Sequence, residues 1–206
     1  MLDLAALEQI ATQLHASGLR RITGGIRVDT SLFQGSLYPD FWNWGDIGNG
    51  YGSGVCALNL NHNRYTARFR PGKTADLPAT FLGVEPDVPG VTFRHEVTTG
   101  PAGSGDGVMI HGGEKTSVIH LRGTVPLGSK EFAVIGAVTD PASFAAHHFQ
   151  RLLADRGIQI DGRIASSTAP AKIVLLQHAS PPLIDIITSI HATSDNHETE
   201  CVLRIL

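Results

Sequence analysis

Apolar residues recur at the spacing of an amphipathic α-helix in four stretches of this 206-residue chain. The second stretch has clear boundaries, because Asp140 is a favourable N-cap, Pro141 suits the first helical position and Gly157 suits the end. The pattern predicts helices over residues 3–16, from Pro141 to Gly157, after Pro182, and after the polar triplet Ser194-Asp195-Asn196.

Short alternating or continuous apolar runs fill most of the chain between the first two helices. They are separated by turns rich in Pro, Gly and Asp, which is typical of β-strands. A further continuous apolar run at 172–178 predicts a buried strand, and residues 157–165 predict a strand or a hairpin. The other predicted strands cover residues 21–33, with a Gly-Gly interruption, and residues 64–70, 79–84, 91–97, 107–111, 117–122 and 132–138.

This order of elements predicts an α+β fold with a small all-β module inserted in it. The module covers residues 66–128, and the α+β domain around it is formed by residues 1–65 and 129–178. Residues 179–206 form a separate helical piece.

Composition excludes several classes of function. The net charge is −3 and no run of Lys or Arg appears, so binding of nucleic acid by a basic face is not expected. No apolar run is long enough for a transmembrane helix. The N-terminal residues lack the basic start of a secretory signal, so we expect a cytosolic protein or a chain whose signal has been lost.

Cys56 and Cys201 are expected to be free thiols, although a disulfide between them stays open.

Two kinds of cofactor site are not supported by the spacing of residues. Gly72-Lys73-Thr74 resembles the end of a phosphate-binding loop, but Ala67 stands where that loop needs Gly. Among ten histidines, His191 and His197 lie near Glu198, but no His-x3-His pair accompanies them. We therefore expect neither a cofactor nor a metal ion.

The triplet Ser194-Asp195-Asn196 allows two interpretations. Ser, Asp and Asn are the preferred N-caps, and acidic residues follow in the next turn, so a helix cap explains the triplet from local sequence. Alternatively, Ser-x-Asn is one motif of an active site whose other residues lie elsewhere.

Several segments resemble one family in their order and spacing. They are the Gly-Gly strand GGIRVDTSLF, the Trp-rich segment FWNWGDIGNGY, VCALNLNHN, the helix-containing segment VTDPASFAAHHFQRLLADRGIQIDGRI and the final Ser-Asp-Asn helix pair. Together they resemble the D-alanyl-D-alanine carboxypeptidase/endopeptidase family, the DacB-like low-molecular-mass penicillin-binding proteins.

The resemblance implies that residues 179–206 belong to an incomplete penicillin-binding, serine β-lactamase-like domain. In that family Ser-x-x-Lys, Ser-x-Asn and Lys-Thr-Gly form the active site, which makes Ser194 and Asn196 candidate catalytic residues. It also implies a peptidoglycan peptide as substrate, binding of β-lactams such as penicillin, and a periplasmic or other extracytoplasmic location.

The sequence departs from the family at the other two motifs. None of its four lysines, Lys73, Lys115, Lys130 and Lys172, has Ser three residues before it, and no Lys-Thr-Gly occurs. We therefore expect an inactive fragment of a serine-type carboxypeptidase. The C-terminal helices would expose apolar residues such as Ile186, Ile187 and Leu203, which could be buried in a homodimer.

Two other functions compete with this interpretation. The chain could be a non-catalytic module that binds cell-wall polymer or a protein partner, an alternative that the missing motifs favour. It could also be an unrelated small-molecule enzyme that uses its histidines.

Overall fold

The computed structural model describes residues 2–166 and 173–206, apart from the side chain of Ser166. Its helices are α1 (Leu4–Ala16), α2 (Pro141–Asp155), α3 (Leu183–Thr193) and α4 (Asn196–Ile205), and a 3-10 turn covers Asn61–Asn63. Its strands are β1 (Arg21–Ile22), β2 (Arg27–Val28), β3 (Arg64–Arg70), β4 (Thr80–Glu85), β5 (Thr92–Gly100), β6 (Gly107–His111), β7 (Val118–Pro126), β8 (Phe132–Ala137), β9 (Gln159–Ile160) and β10 (Ala165–Ser166). The four predicted helices are confirmed, and the mixed α and β content agrees with the predicted class.

The chain divides into two compact units. One comprises the described residues of Met1–Gly35, Val55–His62 and Pro141–Leu206 and contains all four described helices. The other comprises Ser36–Gly54 and Asn63–Asp140 and contains β3 to β8. The assignment of residues 66–128 to a nested module stays a prediction.

The helical unit is held together by the apolar faces of α1 and α2. Ala11 of α1, Leu153 of α2 and Ile158 form a cluster that is at most 1% exposed. The partly buried residues around this cluster are Leu14, Leu19, Ile22, Ile26, Phe149, Leu152 and Ile160. Burial of such apolar side chains is the main favourable contribution to folding, so this cluster is the core of the helical unit.

Two parallel strand pairs complete the helical unit. β1 pairs with β9 and β2 pairs with β10, so residues 157–165 do not form the hairpin that was one of the two predictions. The Gly162 N–H donates to the Gly24 carbonyl at 3.0 Å between the two pairs. A Cβ on Gly162 would lie 2.6 Å from the Gly24 carbonyl carbon, so this close approach of two backbones requires glycine.

The apolar run that predicted a buried strand does not form one. Residues 173–178 have no strand conformation, while Lys172 lies outside the described residues. Ile173, Val174 and Leu175 are 76%, 66% and 73% exposed. An apolar run becomes a strand only where a neighbouring strand accepts its backbone hydrogen bonds, and among the described residues this run has no such neighbour.

The second unit contains two three-stranded sheets. In one, β3 lies between β4 and β8, and both pairings are antiparallel. In the other, β7 lies between β5, which runs parallel to it, and β6, which runs antiparallel. Buried residues alternate along β3, where Tyr65, Ala67 and Phe69 are at most 1% exposed.

No helix in the described part of the chain is both long and apolar enough to cross a membrane.

Candidate active site

Ser194 lies at the junction of α3 and α4 in a backbone conformation that is uncommon for serine. It follows α3 as its C-cap with φ 54° and ψ 43°, and its N–H donates to the Ile190 carbonyl at 2.7 Å. Left-handed conformations cost free energy for residues other than glycine and occur preferentially at functional sites. Ser194 is also exposed in this turn at the end of a helix.

Asp195 begins α4 as its N-cap. Its Oδ1 accepts a hydrogen bond from the Glu198 N–H at 2.9 Å, and its carbonyl accepts from the Thr199 N–H at 3.1 Å. These bonds satisfy amide and carbonyl groups at the first turn, as an N-cap does. The prediction of a cap is confirmed, and the residue that provides the cap is Asp195.

Asn196 is the first residue of α4 and is exposed. Ser194 and Asn196 are therefore both accessible, whereas the Asp195 side chain between them is only 10% exposed. The triplet thus has exposed residues on both sides of a carboxylate that caps the helix. A hydroxyl and an amide can each donate and accept hydrogen bonds, which suits contact with a peptide or with a proton-transfer group.

Hydrogen bonds of Asn59 connect α4 to residues 55–62. The Asn59 side chain amide donates to the Cys201 Sγ at 3.5 Å, and Asn59 Oδ1 accepts from the Cys56 N–H at 2.9 Å. Both cysteines are free thiols, and burial raises the pKa of Cys201 to about 12. The thiol of Cys201 therefore remains protonated at neutral pH and acts as a packing and hydrogen-bonding group.

His62 and His197 lie beside the Asp195 carboxylate. His62 Nδ1 is 3.5 Å from Asp195 Oδ2, and the two imidazole rings are 5.8 Å apart between centroids. His197 is fully buried. Each of the three residues offers one ligand atom, and these atoms all lie within 4.8 Å of one another.

The sequence does not predict this group. His191, His197 and Glu198 are close in sequence and carry no expectation of a metal ion, and in the structure His191 is exposed and lies outside the group. The position of His62 in the sequence gives no sign that it lies beside Asp195.

A family model described as the D-Ala-D-Ala carboxypeptidase 3 (S13) family matches residues 1–206. The chain belongs to this family. The resemblance stated from the sequence is therefore confirmed.

Two curated relatives are each about a quarter identical to the chain over the aligned residues. A D-alanyl-D-alanine carboxypeptidase from Actinomadura sp. is 24% identical over 96% of this chain and 38% of the relative. The D-alanyl-D-alanine carboxypeptidase DacB of Haemophilus influenzae is 26% identical over 96% of this chain and 41% of the relative. The chain thus spans about two fifths of the length of these relatives.

A solved structure supports the fold. The crystal structure of penicillin binding protein 4 (dacB) from Haemophilus influenzae superposes with a TM-score of 0.81 at 22% identity. The match covers 98% of this chain and 45% of the crystallised chain. This chain therefore has the fold of the matched region of the crystallised penicillin binding protein 4.

Removal of the cap should destabilise α4. We expect Asp195→Ala to lower the free energy of unfolding by about 1 kcal/mol, because the Glu198 N–H loses its acceptor. Asp195→Asn is the matched control, since Asn caps helices about as well as Asp does. Urea denaturation followed by far-UV circular dichroism measures both variants. If Asp195→Asn lowers the free energy of unfolding as much as Asp195→Ala does, the charge of Asp195 contributes more to stability than its capping hydrogen bond.

Proposed function

We propose that this chain is part of a serine-type D-Ala-D-Ala carboxypeptidase/endopeptidase in which Ser194 and Asn196 form the Ser-x-Asn motif. The observation that carries the proposal is the conformation of the triplet, with Ser194 left-handed and exposed, Asp195 turned into a cap, and Asn196 exposed. Membership of the S13 family along the whole chain supports it.

The two residues have complementary roles in the proposed reaction. The Ser194 hydroxyl would relay a proton between the lysine of a Ser-x-x-Lys motif and the leaving amine, because a hydroxyl can donate one proton while it accepts another. The Asn196 amide would hold that lysine or the amide of the substrate. The left-handed turn sets the direction of the Ser194 Cα–Cβ bond relative to α4, so part of the ordering precedes substrate binding.

The substrate that we propose is a peptidoglycan peptide, and β-lactams such as penicillin would bind at the same site of the complete enzyme. This substrate places the enzyme in the periplasm or another extracytoplasmic compartment. The names of the relatives, D-alanyl-D-alanine carboxypeptidase and penicillin binding protein, support this proposal.

We further propose that the 206-residue chain does not acylate by itself. Acylation needs a nucleophilic serine with a base beside it, and this sequence contains no Ser-x-x-Lys. Without that motif, the Ser194 hydroxyl has no nucleophilic serine and lysine for which it could relay a proton. The domain assignment that we propose places the triplet in a partial penicillin-binding domain of residues 179–206, with the nested β module at residues 66–128.

Incubation with a fluorescent penicillin tests this proposal. We expect no covalently labelled band at 21.9 kDa after denaturing electrophoresis, while an active penicillin-binding protein in the same gel is labelled. A labelled band would contradict the proposal. The Ser194→Ala variant then decides whether Ser194 itself is the acylated residue, because the band would disappear in that variant.

The apolar surface of the C-terminal helices supports a partner for this region. No residue of α3 is buried, and Ile184 and Leu203 are 67% and 65% exposed. Ile186 and Ile187, which were predicted to be exposed, are half-buried.

A cavity of about 910 Å³ in the same unit is lined mainly by apolar side chains of α1, α2, α4 and residues 173–176. We propose that the catalytic domain of the complete enzyme, or a second copy of the chain, covers these surfaces.

A non-catalytic module that binds cell-wall polymer remains the second proposal. It is supported by the absence of both Ser-x-x-Lys and Lys-Thr-Gly from the sequence.

A further inference from the structure

The group formed by His62, Asp195 and His197 has the composition of a metal site. Each residue contributes one ligand atom, and all three atoms lie within 4.8 Å of one another. Two residues come from the N-terminal end of α4, and His62 comes from the turn at Asn61–Asn63. Because the side chains belong to one compact unit, they are brought together by its fold.

The contact between His62 and Asp195 is poor as a hydrogen bond. His62 Nδ1 lies 3.5 Å from Asp195 Oδ2, whereas a charge-assisted N–H···O bond measures about 2.7–2.9 Å. The same Nδ1 atom is buried and makes no hydrogen bond with any described residue. A buried polar atom without a partner costs free energy, and this nitrogen lies beside a carboxylate and a second imidazole, a set of groups that can share a cation.

We propose that His62, Asp195 and His197 bind one divalent first-row transition metal ion, with Zn²⁺ as the ion that fits this donor set best. Two imidazoles and one carboxylate are ligands that Zn²⁺ accepts in tetrahedral sites, whereas Mg²⁺ and Ca²⁺ prefer oxygen ligands. Three protein ligands leave a fourth position for water or for a donor from another molecule. This proposal does not depend on the proposed enzymatic function.

The ligands need only a small movement to close on an ion. Zn–N and Zn–O distances of about 2.0–2.2 Å place the ligand atoms of a tetrahedral site roughly 3.3 Å apart. The His62 side chain is 37% exposed, so its ring can rotate, while buried His197 provides a fixed ligand. Bound metal would then connect residues 55–62 to the turn that carries Ser194 and Asn196.

A consequence for stability follows from this geometry. A metal that binds only the folded chain stabilises it by mass action, and the stabilised contact joins α4 to the 55–62 segment. The turn between α3 and α4 would become less mobile, and with it the two residues of the Ser-x-Asn motif.

Titration of metal-free protein with Zn²⁺ tests the proposal. After dialysis against a chelator, competition with a chromogenic zinc indicator should give one bound ion per chain. Substitution with Co²⁺ should give the visible absorption of a tetrahedral site, and excess Mg²⁺ should not displace the ion. These measurements need no enzymatic activity.

Three histidine or carboxylate variants assign the site. We expect His62→Asn and Asp195→Asn each to weaken Zn²⁺ binding by at least about tenfold, since each removes a ligand. Asn tolerates the left-handed conformation of residue 62, where φ is 54°, and retains the cap at residue 195. His191→Asn is the matched control, because it makes the same change at an exposed histidine outside the group, and it should bind like the unchanged chain.

Two results would overturn the proposal. One is the absence of stoichiometric Zn²⁺ binding by the unchanged chain. The other is equal Zn²⁺ affinity in His62→Asn, Asp195→Asn and the control His191→Asn. That result would place the ion elsewhere. Far-UV circular dichroism before each titration identifies a variant that does not fold, and the assignment then rests on the other ligand variant.

Discussion

Leu153→Ala should destabilise the helical unit by about 2–5 kcal/mol. Leu153 is fully buried in the cluster with Ala11 and Ile158, where α1 packs against α2. Its truncation removes apolar burial and leaves a cavity that the surrounding helices fill only partly. Its carbonyl also accepts the Ile158 N–H at 3.0 Å at the end of α2, so the neighbouring backbone has little freedom to collapse into the cavity.

The two units offer separate probes for this measurement. All four described helices lie in the unit that contains Leu153, so helical circular dichroism follows that unit. Both tryptophans, Trp42 and Trp44, lie in the other unit, so their fluorescence follows it. Urea denaturation of Leu153→Ala should shift the midpoint measured by circular dichroism to lower urea concentration.

Leu203→Ala is the matched control for Leu153→Ala. Leu203 belongs to α4 and is 65% exposed, so the same truncation should change the free energy of unfolding by less than about 0.5 kcal/mol. Equal losses in the two variants would show that burial of Leu153 is not what stabilises this unit. A large loss for Leu203→Ala alone would indicate that a second chain covers α4.

The helices could be predicted because their signals are local. Each combines an apolar stripe with a start or stop residue, such as Asp140 with Pro141 or Gly157. Strand pairing is not local, and β1 and β2 pair in parallel with β9 and β10 from the other end of the chain. The run at 173–178 shows the same limit, because its apolar residues do not determine whether a neighbouring strand is available.

The sequence predicts the triplet as a candidate site, but the roles of its three residues depend on backbone angles. Ser, Asp and Asn are similar N-caps, so the triplet alone does not identify which residue caps the helix. The left-handed turn at Ser194 makes Asp195 the cap and leaves the serine exposed. His62 could not be placed at all, because its approach to Asp195 depends on the packing of residues 55–62 against α4.

The second large effect is expected for Gly123→Ala in β7, with a loss of at least about 4 kcal/mol in the free energy of unfolding. Gly123 has φ 113°, a conformation that residues with a side chain rarely adopt, and it pairs with Val97 of β5 and Val108 of β6. A Cβ at this position would overlap the Gly107 carbonyl oxygen of the neighbouring strand. Since β7 is the central strand, the overlap would disturb a sheet that is paired on both sides.

Gly128→Ala separates strain from overlap in this experiment. Gly128 has φ 94°, but a Cβ there meets no atom within 4 Å, so Ala should cost only the backbone strain of about 1–3 kcal/mol. Tryptophan fluorescence during urea denaturation measures both variants, because Trp42 and Trp44 share their unit with both glycines. The excess loss of Gly123→Ala over Gly128→Ala is the cost of forcing β6 and β7 apart. Equal losses would mean that the backbone angle alone explains why glycine stands at residue 123.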